Sequence, residues 1–211
     1  MFCFKKLLTI LAVTSLTACA SEDLSSLQAV QPPSQAIASE SRNPLLVDIS
    51  AVHAAPAKPP SGYIGFCKRF PDQCAVPKNA PAQVKLTDDV WNMLEEVNAA
   101  YNTAIEPEDD SVHYGTKEYW TIPTDGRGDC EDYVVSKRKA LMQLGLPMPA
   151  LRIAVVFTRH FVRHAVLTVV TDKGNYVLDN LNPDIVSWDQ TGYTFVERQD
   201  PASSSGWVSL E

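Results

Sequence analysis

Cys130 lies in Gly126-Arg127-Gly128-Asp129-Cys130-Glu131-Asp132-Tyr133, a run that gives it the setting of a nucleophile. The glycines permit a tight loop ahead of a helix start. Asp129 suits the N-cap, and Asp132 falls at the third helical position, where an acidic side chain approximates a capping box. The thiol is therefore expected in the first turn of a helix, where unpaired backbone N–H groups and the positive end of the macrodipole favour thiolate. Asp129, Glu131 and Asp132 work against it, because carboxylates raise a thiol's pKa unless an imidazolium or a bound cation offsets them. A buried inert thiol and an intermolecular disulfide are the other fates open to an unpaired cysteine.

A thiolate nucleophile needs a base, and the base an orienting group. The four histidines are His53, His113, His160 and His164. His53 falls in a low-complexity stretch and His113 in an Asp-rich segment read as loop. His164 opens the apolar run His164-Ala165-Val166-Leu167-Thr168-Val169 and is the candidate base, although a hydrogen-bonded histidine at a strand end has the same pattern. His160 and His164 have H-x-x-x-H spacing, which converges on a metal only on a helix, and this segment reads as β. Asp179 interrupts Tyr176-Val177-Leu178-Asp179-Asn180-Leu181, and a buried acid there needs partners. A hairpin centred between Lys173 and Gly174 puts Thr168, not His164, opposite Asp179, a gap of about 13 Å along the strand. A bulge, an earlier turn or another carboxylate is then required, with Asp184 as the fallback.

The elements that must carry these residues follow from periodicity. Val90, Trp91, Leu94, Val97, Asn98 and Tyr101 recur at spacings of three and four, predicting a helix over 88–103 capped by Thr87. A second helix is expected over 130–144, ended by Gly145 and Pro147. Short Val- and Ile-rich runs at 151–157, 164–171 and 176–181 read as strands, the last two joined by Asp172-Lys173-Gly174-Asn175. Helices followed by an antiparallel sheet make an α+β fold.

With 211 residues the chain holds one domain of ordinary size, and 45% hydrophobic against 20% charged residues is a globular balance. A net charge of -7 without basic, aromatic-interleaved runs excludes nucleic acid as a partner. Lys5 and Lys6 precede the apolar stretch Leu7 to Leu16, which is too short to span a bilayer and has the shape of a secretory signal. It ends in Leu16-Thr17-Ala18-Cys19, which resembles a lipobox. Residues 1–18 are then a lipoprotein signal peptide and Cys19 a lipidated N-terminus, its acyl chains anchoring the protein at about 0.8 kcal/mol per buried methylene. Cleavage after Ala20 by the general signal peptidase is the rival. Residues 19–61, rich in Ala, Ser and Pro, read as a tether. Leu45-Leu46-Val47 is an apolar patch within it. Residues 62–200 form the domain and 201–211 a tail. Of five cysteines, Cys3 leaves with the signal, and Cys67 and Cys74, within a turn-like segment of an exported chain, are expected to pair. Closing so short a loop is worth about 2.5 kcal/mol.

Taken in order, Gly128-Asp129-Cys130-Glu131-Asp132-Tyr133, His164-Ala165-Val166-Leu167 and Leu178-Asp179-Asn180-Leu181 resemble the three signature blocks of the bacterial transglutaminase-like cysteine peptidases, whose best-known branch is the LapG-type periplasmic protease. The resemblance spans roughly Gly62 to Glu197. It implies a papain-like, transglutaminase-type core in which Cys130, His164 and Asp179 are the catalytic triad. It also implies a calcium ion held by Asp129 and Glu131, no organic cofactor, a protein substrate in the cell envelope and an inner-membrane regulatory receptor. Trp120 resembles a tryptophan that the family carries ahead of the cysteine loop and, taken alone, reads as core packing. The lipobox, the tether and the Cys67/Cys74 pair depart from the LapG-type pattern. The expected location is the periplasm, anchored to the outer membrane. The same scaffold could run a transamidase or amidase, since hydrolysis and aminolysis share the acyl-enzyme, or serve as a tethered binding module without activity.

Overall fold

A computed structural model describes residues 54–203 and 206–210. The signal segment, Cys3, Cys19, Leu45 to Val47 and His53 lie outside the described residues. The described chain runs β1 (Ala54–Pro56), α1 (Ser61–Arg69), α2 (Asp88–Ala104), β2 (Glu106–Pro107), α3 (Asp110–His113), β3 (Arg127–Gly128) and α4 (Cys130–Gln143), then β4 (Leu151–Phe157), β5 (Arg163–Thr171), β6 (Gly174–Leu178), β7 (Val186–Ser187), β8 (Thr194–Gln199) and β9 (Trp207–Leu210). Seven strands form one antiparallel sheet in the order β1-β9-β8-β4-β5-β6-β7, so the fold is α+β. No helix among the described residues is long and apolar enough to cross a membrane.

Helix α2 starts where Thr87 Oγ1 accepts the Val90 N–H at 3.3 Å, and it buries Leu94, Val97 and Asn98. Helix α4 lies deeper. Every residue from Asp132 to Arg138 is buried, and the helix stops as Gly145 takes a φ of +97°, a left-handed conformation that glycine reaches without strain. Central β4 shows why its sequence is a continuous apolar run. Leu151, Ile153 and Val155 join the core cluster that also contains Val134, Val135 and Leu141 of α4, while Ala154 and Val156 join a second cluster with Val166, Val177 and Phe195. The period of two thus feeds two apolar layers, one on each side of the sheet.

The β5–β6 hairpin corrects the expected register. Thr171 pairs with Gly174, so the turn is the two residues Asp172 and Lys173. Leu167 pairs with Leu178, which carries Asp179 to the level of Val166, two residues from His164 instead of four. Strand β6 also ends at Leu178 and not at 181, leaving Asp179 free of the ladder. The sheet further takes in residues outside the expected 62–200 limits. Strand β1 falls in the stretch read as tether, and β9, with Trp207 only 1% exposed, in that read as tail. Ala54-Ala55-Pro56 is exposed along its length and so offers no apolar alternation to read. Cys67 stands on α1 and not in a turn.

Candidate active site

The loop before Cys130 is pinned by backbone bonds. Glu106 N–H donates to Gly126 O at 2.7 Å and Glu108 N–H to Gly128 O at 3.0 Å, pairing β2 with β3 in parallel. Gly126 takes a φ of +80°. At Gly128 a Cβ would fall 2.6 Å from Asp132 Oδ2, so only glycine lets that carboxylate tuck beneath the loop. Cys130 therefore opens α4. The capping box does not form. Asp129 occupies the N-cap, but its side chain makes no capping bond, and Asp132 Oδ1 accepts the Thr121 N–H at 2.6 Å instead.

His164 and Asp179 are brought together in the buried layer. His164 Nε2 lies 2.7 Å from Asp179 Oδ1, with the two side chains 4% and 3% exposed. Oδ1 also accepts the Leu181 N–H at 3.0 Å, and Oδ2 accepts the Tyr193 hydroxyl at 2.7 Å. The Tyr193 ring stands edge-on to the imidazole, with centroids 5.9 Å apart. Behind them, Asn102 donates to Asp179 O at 2.8 Å, and Asn98, itself bonded by the buried Lys137 amino group, donates to Pro183 O, tying the loop after β6 to α2. Burial opposes charge on Asp179, yet the bonds from His164, Leu181 and Tyr193 hold its carboxyl below the usual range. With Nε2 engaged, Nδ1 is the imidazole nitrogen left to face a nucleophile.

Cys130 sits beside this pair without bonding to it. Its sulfur meets the Ala165 N–H, one residue from His164, while its S–H donates to Glu131 Oε2 at 2.9 Å. Burial, then the Glu131 charge and that bond, push the thiol well above its usual pKa. Acids crowd the same end of α4. Burial and Glu131 push Asp129 up to about 9. Burial, with Asp110 and Glu131 nearby, pushes Asp132 up to about 7. Asp110 is raised by burial against the lowering bond from the Tyr119 N–H. Ligand atoms of Asp129, Cys130 and Glu131, and those of Asp110, Asp129 and Asp132, gather within 4.8 Å. Asp110 Oδ1, Asp129 Oδ1 and Asp132 Oδ2 are buried without a hydrogen-bond partner. An all-oxygen cluster with unspent lone pairs is the donor set of a hard cation such as calcium.

The other residues singled out by sequence lie elsewhere in function. Asp184 is exposed and makes no bond to His164. His113, on α3 rather than in a loop, pairs with Asp125 at 2.8 Å. His160 is exposed in the β4–β5 turn. Trp120, 1% exposed, packs against Tyr63 and over Gly62 in the core. Cys67 and Cys74 are disulfide-bonded, with Cα atoms 5.6 Å apart. Sequence reasoning missed Tyr193 and Asp110, which join the site across 14 and 22 residues, and no local pattern marks either. It also missed a groove of about 510 Å³ that includes His164, Tyr193, Val162 and Leu181 in its lining.

No curated protein matches the chain. Among solved structures, Legionella pneumophila LapG is 26% identical, with a TM-score of 0.48 over 57% of this chain and 67% of that one. Its calcium-bound form is 26% identical, with a TM-score of 0.49 over 57% and 68%. Its EGTA-treated form is 27% identical, with a TM-score of 0.48 over 58% and 67%. The sequence profile of the bacterial transglutaminase-like cysteine proteinases matches residues 53–211, from the first strand through the acid-flanked cysteine and the His–Asp pair to the C-terminus, and the chain belongs to that family.

Proposed function

We propose that the chain is a cell-envelope cysteine peptidase that hydrolyses a peptide bond through Cys130, His164 and Asp179. The buried His164–Asp179 pair, set one residue from the Ala165 N–H that meets the Cys130 sulfur, is the observation that carries this reading. In the working state the sulfur turns from Glu131 toward His164 Nδ1, which takes its proton; such pairs are often loose in the unliganded enzyme. The thiolate attacks the peptide carbonyl carbon, and the Cys130 backbone N–H at the start of α4 faces the oxyanion. Imidazolium then passes its proton to the leaving amine as the C–N bond breaks. Water, deprotonated by His164, opens the thioester and restores the thiol. Asp179, fixed by Tyr193 and Leu181, holds the imidazole orientation throughout.

Asp129 and Glu131, with Asp110 and Asp132 beside them, would hold a calcium ion, whose charge offsets the gathered carboxylates and favours the thiolate. The signal sequence and Cys19 support a periplasmic protein, lipid-anchored to the outer membrane by a tether. An inner-membrane receptor that governs access to substrate belongs to the same reading. The test is the rate of Cys130 alkylation by iodoacetamide in the native protein with calcium. Wild type is expected to react rapidly near neutral pH and His164→Ala at least tenfold more slowly. Labelling only after denaturation would make Cys130 a buried structural thiol.

A further inference from the structure

The groove on the His164 side of the site has a chemistry of its own. Arg159, Val162, His164, Leu181, Thr191 and Tyr193 are in its lining, and no carboxylate is. Arg159 is exposed and makes no ion pair among the described residues, whereas Arg127, Arg163 and Arg198 each face a carboxylate. It also lies close over the chain at Gly192. Gly192, with a φ of +70°, lies under the guanidinium so closely that a Cβ there would fall 2.4 Å from Arg159 Nε. A planar, unpaired guanidinium in a groove matches a carboxylate ligand. Val162 and Leu181, 60% and 61% exposed, offer the aliphatic surface that the stem of an acidic side chain covers.

The proton transfer fixes which part of the peptide this groove receives. His164 delivers its proton to the leaving amine, which sets its side of the cleft to the residues after the cleaved bond. We propose, resting on the peptidase reading above, that this enzyme selects substrates with an acidic side chain shortly C-terminal to the cleaved bond, paired with Arg159.

The experiment is mass-spectrometric mapping of cleavage sites in a peptide library made from a bacterial proteome, using the full detergent-solubilised chain with calcium, as wild type, Arg159→Gln and Arg159→Glu. Wild type is expected to enrich Asp or Glu at one of the first three positions after the cleaved bond. The ratio of acidic to neutral sites should fall about tenfold in Arg159→Gln, the scale of a charge-assisted hydrogen bond, and turn toward Lys or Arg in Arg159→Glu. Wild-type cleavage without acidic preference, or a preference untouched by both variants, overturns the inference and leaves the peptidase reading standing. A wild type that cleaves no peptide overturns both.

Discussion

Removing calcium should make folding stability fall as pH rises, the reverse of ordinary acid denaturation. Without the ion, burial and mutual repulsion hold Asp129 at about 9 and Asp132 at about 7, both above the usual carboxylate value. A carboxyl whose folded pKa is raised keeps a proton that the unfolded chain has released. Its stabilising contribution is full below about pH 4 and is lost as pH climbs, through about 7 for Asp132 and about 9 for Asp129. Each retained proton gives a slope of about 1.4 kcal/mol per pH unit, so the two give about 2.8 below pH 7, or about 6–11 °C of Tm per unit for a domain of roughly 150 residues. Asp179 acts in the opposite sense, since its lowered pKa stabilises above about pH 4 and is lost only below it, outside this window. A bound cation replaces the protons and flattens the slope. Thermal melts from pH 5 to 7, below the range where the depressed Lys137 pKa of about 7 adds stability as pH rises, read this directly in EDTA and in calcium. A Tm in EDTA that is flat or rises with pH, or equal slopes in both, would refute the reasoning, and the acids would then be ionised and water-satisfied in the folded protein.

Other outcomes follow from single contacts. Tyr193→Phe removes one charged hydrogen bond from Asp179, and kcat should fall about tenfold with KM within about twofold, because such bonds are worth about 1.5–3 kcal/mol; a lower Tm with unchanged kcat would make the tyrosine merely structural. Asp184→Ala should leave kcat/KM within about twofold, while Asp179→Asn should cost about a thousandfold or more by freeing the imidazole orientation. Cys67→Ser opens the short loop, worth about 2.5 kcal/mol, and should lower Tm by about 5–10 °C with activity per folded molecule retained. Gly62→Ala would place a Cβ 2.3 Å from Trp120, and denaturant melts should show a loss of about 1–3 kcal/mol, the scale of core overpacking.

How much of this was legible depended on the range of the interactions. Helix α2 could be read because Thr87, Leu94 and Val97 act within a few residues of one another, and α4 because Gly128 and Gly145 punctuate both ends. The three central strands could be read from apolar runs. The register of β5 and β6 could not, because Asp172-Lys173-Gly174-Asn175 supports either of two turn centres and only the assembled sheet selects one. Strands β1 and β9 pair across more than 150 residues with little alternation to announce them. At the site, residue types offered Cys130 and His164 as candidates and left the acid open between Asp179 and Asp184, the family resemblance pointed to Asp179, and the structure brings His164 and Asp179 into contact. Asp132 looked like a helix cap locally, whereas it is spent on Thr121 and joins Asp110 in the acid cluster. Tyr193 was invisible for the same reason, its partner being fixed by how the β7–β8 connection folds over the imidazole.

Peptide hydrolysis by Cys130, with His164 as its base, is tested most directly by comparing new protein N-termini in the envelopes of cells carrying wild type, Cys130→Ala or His164→Ala, each grown with calcium. A small set of termini should be present with wild type, absent with both variants, and restored when wild type is returned to either strain. The same termini persisting in Cys130→Ala cells would contradict the assignment, and the chain would then act in the envelope by some means other than this thiol.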